Sequence, residues 1–208
     1  MRRPKSPISS RSADSDMQVR LGALQRGHRN RLREILDATE IFRAEEVCVA
    51  LELFDETFAA GPARAPYDPG DGVANYEFVG SFARDGRGSE QLVGYVCYGA
   101  TPGTDRTYDL YWIAVHPDFQ GSGGGTLLLE EVERRLRQRE ARLLVVETSS
   151  RDDYSATRHF YQTRGYGESA RVTDFYAPGD HRVILTKRFS EVPPSHLHLT
   201  TERGVGSK

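Results

Sequence analysis

Leu32, Ile35 and Leu36 fall on one helical face. Val47, Ala50, Leu51, Phe54 and Phe58 repeat the i, i+3/i+4, i+7 spacing over a longer stretch, so two amphipathic helices are expected early in the chain. Gly61-Pro62 stops the second, and Ala65-Pro66 through Gly72 reads as loop. The period then shortens to that of strands. Tyr76–Phe82 and Leu92–Tyr98 are strand-like runs joined by Arg84-Asp85-Gly86-Arg87-Gly88, whose Asp-Gly is a hairpin signal, and Thr107–Val115 is a third run rich in aromatic and β-branched residues. Thr126 to Gln138 reads as helix, with acids early and arginines late, and with Glu130–Arg134, Glu131–Arg135 and Glu133–Arg137 spaced as i,i+4 pairs. Leu143–Thr148 is an apolar strand, and Ser155–Arg164 a helix closed by Gly165 in the left-handed conformation. Val172–Ala177 and Val183–Phe189 are the last two strands, turning at Pro178-Gly179-Asp180.

The order ααβββαβαββ predicts a mixed α/β fold: a sheet that opens antiparallel, helices on its flanks, and a parallel crossover from Thr107–Val115 to Leu143–Thr148. Residues 1–17 and 190–208 hold little to bury and are expected as loose tails, the first of them disordered, around a single domain at 18–189. His196 and His198 in the second tail lack a third ligand cluster, so no metal is expected there.

Composition narrows the class. The 208 residues are 38% hydrophobic and 28% charged, too apolar for a wholly disordered chain, and no apolar run reaches the roughly 18–20 residues of a membrane span. A net charge of -2 removes the electrostatic case for binding nucleic acid. The basic N-terminus has no apolar stretch behind it, so no secretory signal is expected and the location is expected to be cytoplasmic. Cys48 and Cys97 are too few for a disulfide framework and are expected as small core residues.

The chemistry concentrates in Ile113-Ala-Val-His-Pro-Asp-Phe-Gln-Gly-Ser-Gly-Gly-Gly-Thr126, a strand, a glycine-dense turn and a helix start. Glycines let backbone N–H groups converge, and the helix start adds partial positive charge, which together make a phosphate site. Two nucleotide motifs fail by counting. A P-loop needs a lysine, yet none occurs between Lys5 and Lys187. The dinucleotide fingerprint needs a third glycine where Thr126 or Leu128 stands.

Gln120-x-x-Gly123-x-Gly125 directly after Ala114-Val115-x-Pro117 resembles the pyrophosphate-binding motif of the GCN5-related N-acetyltransferases (GNAT). Phe160-Tyr161-Gln-Thr-Arg-Gly165-Tyr166, 35 residues after Gly125, resembles that family's Phe-Tyr-x-x-x-Gly-Phe/Tyr signature. The two opening helices and the closing strand stand where the family has them, so the resemblance spans about 18–189. It implies a GNAT-like central mixed, mostly antiparallel sheet flanked by helices. It also implies an enzyme that moves an acetyl group from acetyl-CoA to an amine acceptor by direct attack in a ternary complex, without a metal.

By the same resemblance, the backbone of Ile113, Ala114 and Val115 meets the pantetheine arm. The N–H groups of Gln120, Gly121, Ser122, Gly123, Gly124, Gly125 and Thr126 hold the pyrophosphate, and Tyr161 protonates the departing thiolate. The family's Asn and Ala before that tyrosine are here Tyr154 and Thr157, which leaves the Thr148-Ser149-Ser150 hydroxyls, Ser150 in particular, to hold the cofactor. Asp109, in an apolar strand six residues before Val115, is the candidate base, and strand alternation puts it on one face with Tyr111 and Ile113 unless a bulge intervenes. His116 is an alternative base, though the turn before Pro117 suits it better to a loop contact. Tyr67, Tyr76, Tyr98, Tyr108, Tyr111, Trp112, Phe175 and Tyr176 offer an aromatic cleft, with Asp174 or Asp180 to attract a cationic amine, although strand aromatics and turn acids are more often structural. The acceptor's identity stays open, as does a homodimer. A catalytically silent acyl-CoA sensor or adaptor on the same fold is the competing class.

Overall fold

A computed structural model describes residues 18–59, 76–84 and 88–189. The two expected tails, the Gly61-to-Gly72 loop with Tyr67, and the Asp-Gly of the first hairpin lie outside the described residues. Seven strands, β1 (Arg20–Gly22), β2 (Tyr76–Arg84), β3 (Glu90–Ala100), β4 (Thr107–Val115), β5 (Leu143–Ser149), β6 (Gly167–Ala177) and β7 (Asp180–Arg188), form one sheet in the order β1-β2-β3-β4-β5-β7-β6. Every pairing is antiparallel except β4 with β5, the expected crossover.

Helices α1 (Arg29–Thr39) and α2 (Ala44–Ala59) cover one face, and α3 (Gly124–Gln138) and α4 (Ser155–Gln162) the other. Each follows its apolar spacing. α1 buries Leu32, Ile35 and Leu36, and α2 buries Val47, Ala50, Leu51 and Phe54. Cys48 turns outward on α2 and is exposed, contrary to the expectation of a core residue, because the buried stripe of that helix runs through its neighbour Val47 and Leu51. Cys97 is buried in β3.

On α3, Leu128, Leu129, Val132 and Leu136 are fully buried, each worth roughly 1.5–3 kcal/mol of transfer free energy. Glu131–Arg135 and Glu133–Arg137 pair as expected, but Arg134 reaches back three residues to Glu131 with two bonds of 2.7 and 2.8 Å instead of pairing with Glu130. Glu133 is buried because it accepts from Lys187 Nζ at 2.8 Å and from the Tyr166 hydroxyl at 3.0 Å. Those bonds replace the water it loses.

β2, β3 and β5 run one or two residues past their expected ends, and other boundaries shift too. α3 starts at Gly124 rather than Thr126, and α4 ends at Gln162 with Gly165 following at φ 85°. β6 begins five residues early, at Gly167, and Asp180 belongs to β7 rather than to the turn. β1 has no counterpart in the periodicity, since three residues are too few to show one. No described helix is long and apolar enough to cross a membrane.

Candidate active site

β4 carries one residue too many for its partner. Cys97 of β3 faces Trp112 while Tyr98 faces Leu110, so Tyr111 is an unpaired bulge. Tyr108 and Leu110 before the bulge, and Ile113 and Val115 after it, pack on the α3–α4 side, whereas Trp112 and Ala114 pack on the α1–α2 side. Asp109 therefore shares its face with Trp112 and Ala114, not with Ile113: the bulge inverts the parity that alternation predicts.

The same site ends the parallel pairing. β4 and β5 are joined only from Thr107↔Leu143 to Leu110↔Val146, and beyond that β5 continues against β7 alone. The two strands splay into a cleft. Ile113, Ala114 and Val115 form one wall and Val146, Glu147 and Thr148 the other, with Thr157 and Tyr161 of α4 across it and Thr39, Ile41 and Phe42 at the α1–α2 connection.

Beside it, sharing Ile113, Val115, Gln120 and Thr157 with the cleft, lies a cavity of about 460 Å³ around the glycine turn. Pro117–Phe119 make a short 3-10 turn, entered with His116 Nδ1 accepting from the Asp118 N–H at 3.3 Å, a loop contact. Gln120 Nε2 donates to the Val115 carbonyl at 3.2 Å, tying the turn to the strand edge. Gly121 and Gly123 adopt φ of 79° and 86°, a left-handed backbone that a side chain would strain.

A Cβ at either glycine would meet nothing within 4 Å. Packing does not require glycine there; the conformation does, together with space for a ligand. The Gln120 N–H is spent on the Pro117 carbonyl at 3.1 Å, and within α3 Leu127 N–H is the first to find a carbonyl, that of Gly123 at 3.0 Å, so the N–H groups of Gly121, Gly123, Gly124, Gly125 and Thr126 have no acceptor among the described residues. Ser122 is different. Its N–H and hydroxyl both donate to the Phe119 carbonyl, and it does not border the cavity.

Tyr161 is 2% exposed, its ring edge-on to Phe160 and Tyr166, and its hydroxyl makes no hydrogen bond among the described residues. Burial pushes the phenol well above its ordinary value, so it stays protonated and able to donate. Asp109 does not border the cleft. It is half-buried, it accepts from the Thr101 hydroxyl at 2.7 Å, and desolvation raises it despite that bond and the nearby Arg182. The carboxylate that borders the cleft is Glu147, which is exposed and ion-paired with Arg182 of β7.

Ser150 spends its hydroxyl on the His181 N–H at 2.8 Å and does not border the cleft either. Thr148 does. Its hydroxyl is buried without a partner, an unsatisfied group of the kind a bound amide would satisfy.

Tyr111 and Trp112 line the cleft, but Tyr98 and Tyr108 belong to the core. Asp180 is buried against the Ser149 hydroxyl of β5 and Arg43, and Asp174 accepts from the Gly179 N–H at 2.8 Å within the β6–β7 turn. Sequence reasoning missed Glu147, Thr148 as an individual, and Arg164, which lies inside the quoted Phe-Tyr signature at a position the pattern leaves free. Among the described residues no group of three His, Cys, Asp or Glu is placed to hold a metal ion.

The model of the acetyltransferase (GNAT) family matches residues 41–166. A crystal structure of a GNAT-family protein from Desulfovibrio desulfuricans is 37% identical, covers 82% of this chain and 99% of its own, and superposes with a TM-score of 0.70. The ribosomal-protein-S18-alanine N-acetyltransferase of Escherichia coli shares the fold at 17% identity, with a TM-score of 0.60 and coverage of 86% and 98%. So does yncA of Salmonella typhimurium, solved with its cofactor acetyl-CoA, at 16% identity, a TM-score of 0.61 and coverage of 86% and 98%. A search of curated proteins finds no match.

Proposed function

Because the chain belongs to the GNAT acetyltransferase family, we propose that it transfers an acetyl group from acetyl-CoA to the nitrogen of an amine acceptor, both held in the splayed cleft at once. The observation that carries this reading is the convergence of three features around two adjoining cavities that share Ile113, Val115, Gln120 and Thr157: unpaired N–H groups at the glycine turn, the free strand edge at Ile113–Val115, and the protonated Tyr161. The residues fit such a ligand. The turn has donors without acceptors and room where side chains would be, and Thr148 has a buried hydroxyl without a partner.

Acetyl-CoA supplies the activated acetyl thioester. The chain's contribution is to hold it beside the acceptor, which removes much of the entropic barrier, and to manage protons. Backbone groups of Ile113–Val115 orient the arm and polarise the carbonyl, and Tyr161 gives a proton to the departing sulfur. Glu147, the carboxylate at the cleft wall, takes the proton that the amine loses, directly or through water, with Arg182 orienting it. This assignment replaces Asp109, which stands outside the cleft lining.

The test is thiol release from acetyl-CoA over a panel of amines, run with the unaltered chain, Glu147→Gln and Asp109→Asn. Turnover that falls at least tenfold in Glu147→Gln, with partial recovery as pH rises and more amine arrives neutral, supports the base assignment. The same loss in Asp109→Asn instead would return that role to Asp109. Tight CoA binding with no turnover on any amine would favour a silent sensor.

A further inference from the structure

Arg164 closes the turn after α4, yet its guanidinium lies at the start of α3. It stacks on the Phe160 ring with its central carbon 3.9 Å from the ring centroid. One amino group donates to the Phe160 carbonyl at 2.8 Å and the Thr163 hydroxyl at 3.2 Å, and the other to Thr126 Oγ1 at 2.6 Å. A guanidinium has five N–H donors, so these three bonds leave two free. Both Arg164 and Thr126 border the cavity at the glycine turn, where Arg164 is the one cation among the described residues that line it. The one carboxylate there, Asp153, is already paired with Arg151.

The charges do not balance without it. A helix start presents about half a positive charge, whereas a diphosphate linkage carries about two negative ones, each phosphate of such a diester being fully ionised at neutral pH. No lysine lies between Lys5 and Lys187 to make up the difference. Arg164 also fixes the direction of a second donor. Because the Thr126 oxygen accepts from Arg164, its own hydrogen is free to point toward the cavity.

Resting on the acetyl-CoA reading above, we propose that Arg164 and Thr126 form a clamp on the diphosphate of coenzyme A, a cation and an oriented hydroxyl lying outside the glycine motif. The stacking and the carbonyl bond hold the arginine in place before the ligand arrives, so little side-chain entropy is lost on binding.

Calorimetric titration of the full chain with CoA, and with dephospho-CoA, which keeps the diphosphate and lacks the 3′-phosphate, tests this. Arg164→Met keeps an aliphatic stem over Phe160 and removes charge and donors. It is expected to weaken both ligands equally, by roughly 10- to 100-fold, the scale of a charge-assisted hydrogen bond. Thr126→Val is expected to weaken both by less, and to add little in the double variant, since the hydroxyl depends on the arginine for its orientation. Arg164→Lys, which keeps the charge and guards against a misfolded Met variant, is expected to lose less than Arg164→Met. Unchanged affinities in the folded variants, or a loss confined to CoA, overturn the clamp. An unaltered chain that binds neither ligand overturns the acetyl-CoA reading itself.

Discussion

Tyr161→Phe deletes one oxygen from a side chain that is 2% exposed and leaves its two aromatic contacts, at 5.2 and 5.3 Å between ring centroids, in place. The hydroxyl has no partner to lose among the described residues. The expected stability change is therefore below about 1 kcal/mol, or a melting shift of no more than about 4 °C for a domain of this size. Coenzyme A affinity should hold within about twofold, because no phosphate or arm contact is assigned to the phenol. Turnover should fall by about 10²–10⁴, the usual contribution of a positioned proton donor, equivalent to roughly 2.7–5.5 kcal/mol of barrier. Because burial pushes the phenol upward, it does not ionise in the neutral to mildly alkaline range, and the unaltered enzyme should show no alkaline fall in turnover there. The assay pairs thiol release under saturating acetyl-CoA with titration of CoA binding and a thermal melt. A variant that folds, binds and still turns over within twofold of the unaltered chain refutes the role of Tyr161.

Gly123→Asp should fold with a penalty of roughly 1 kcal/mol for a side chain at φ 86°, and should abolish the melting shift that CoA gives the unaltered chain, worth about 2.7 kcal/mol at a hundred times the dissociation constant. A retained shift would place the phosphates elsewhere. Asp109 has a carboxyl raised by burial, so its contribution is greatest below its unfolded value and is lost as pH climbs through the raised folded one. Asp109→Asn should then melt higher than the unaltered chain at pH 7 and lose that advantage below about pH 4, and a lower melting point at pH 7 would contradict it. Glu131 is held down to about 2, chiefly by its hydrogen bonds with Arg134 and then Arg135. Glu131→Gln should melt lower at pH 7, with the gap closing as pH falls from about 4.3 towards 2, and a gap independent of pH would mean that the charge does not matter.

Most elements were legible because their reasons are local. α1 and α2 declare themselves through apolar residues one turn apart, and β4 matches Thr107–Val115 at both ends because polar Asp105-Arg106 and Pro117 bracket it. The glycine turn was legible for the same reason, since a left-handed backbone before a helix leaves a mark in composition. The early start of β6 has a different cause. β6 starts at Gly167, and ten of its eleven residues are exposed, so no buried face imposes alternation on Gly-Glu-Ser-Ala-Arg. What makes that segment a strand is its partner β7, paired from Gly167↔Thr186 onward, a contact that local periodicity does not carry.

The carboxylate proposed as base escaped the sequence for a more specific reason. An aspartate in an apolar strand draws attention because burial makes it costly, and the cost is real: desolvation raises Asp109. But the residue that solves a chemical problem need not be the one under strain. Glu147 is exposed, so it carries no such penalty, and in Leu-Leu-Val-Val-Glu-Thr-Ser it looks like the solvent-facing end of a strand. It becomes a cleft residue only because β4 and β5 separate after Leu110↔Val146, which opens to a ligand a strand edge that continuous pairing would have closed. The bulge at Tyr111 accompanies that separation and inverts the facing of every later β4 residue relative to Asp109. One inserted residue thus sits where the strand edge becomes free. Deleting Tyr111 leaves Ile113 on the face opposite Asp109 but restores regular pairing, so it should let β4 continue against β5 past Leu110↔Val146 and abolish CoA binding by closing the free edge at Ile113–Val115. Retained binding in a folded deletion variant would show that the splay does not depend on the bulge.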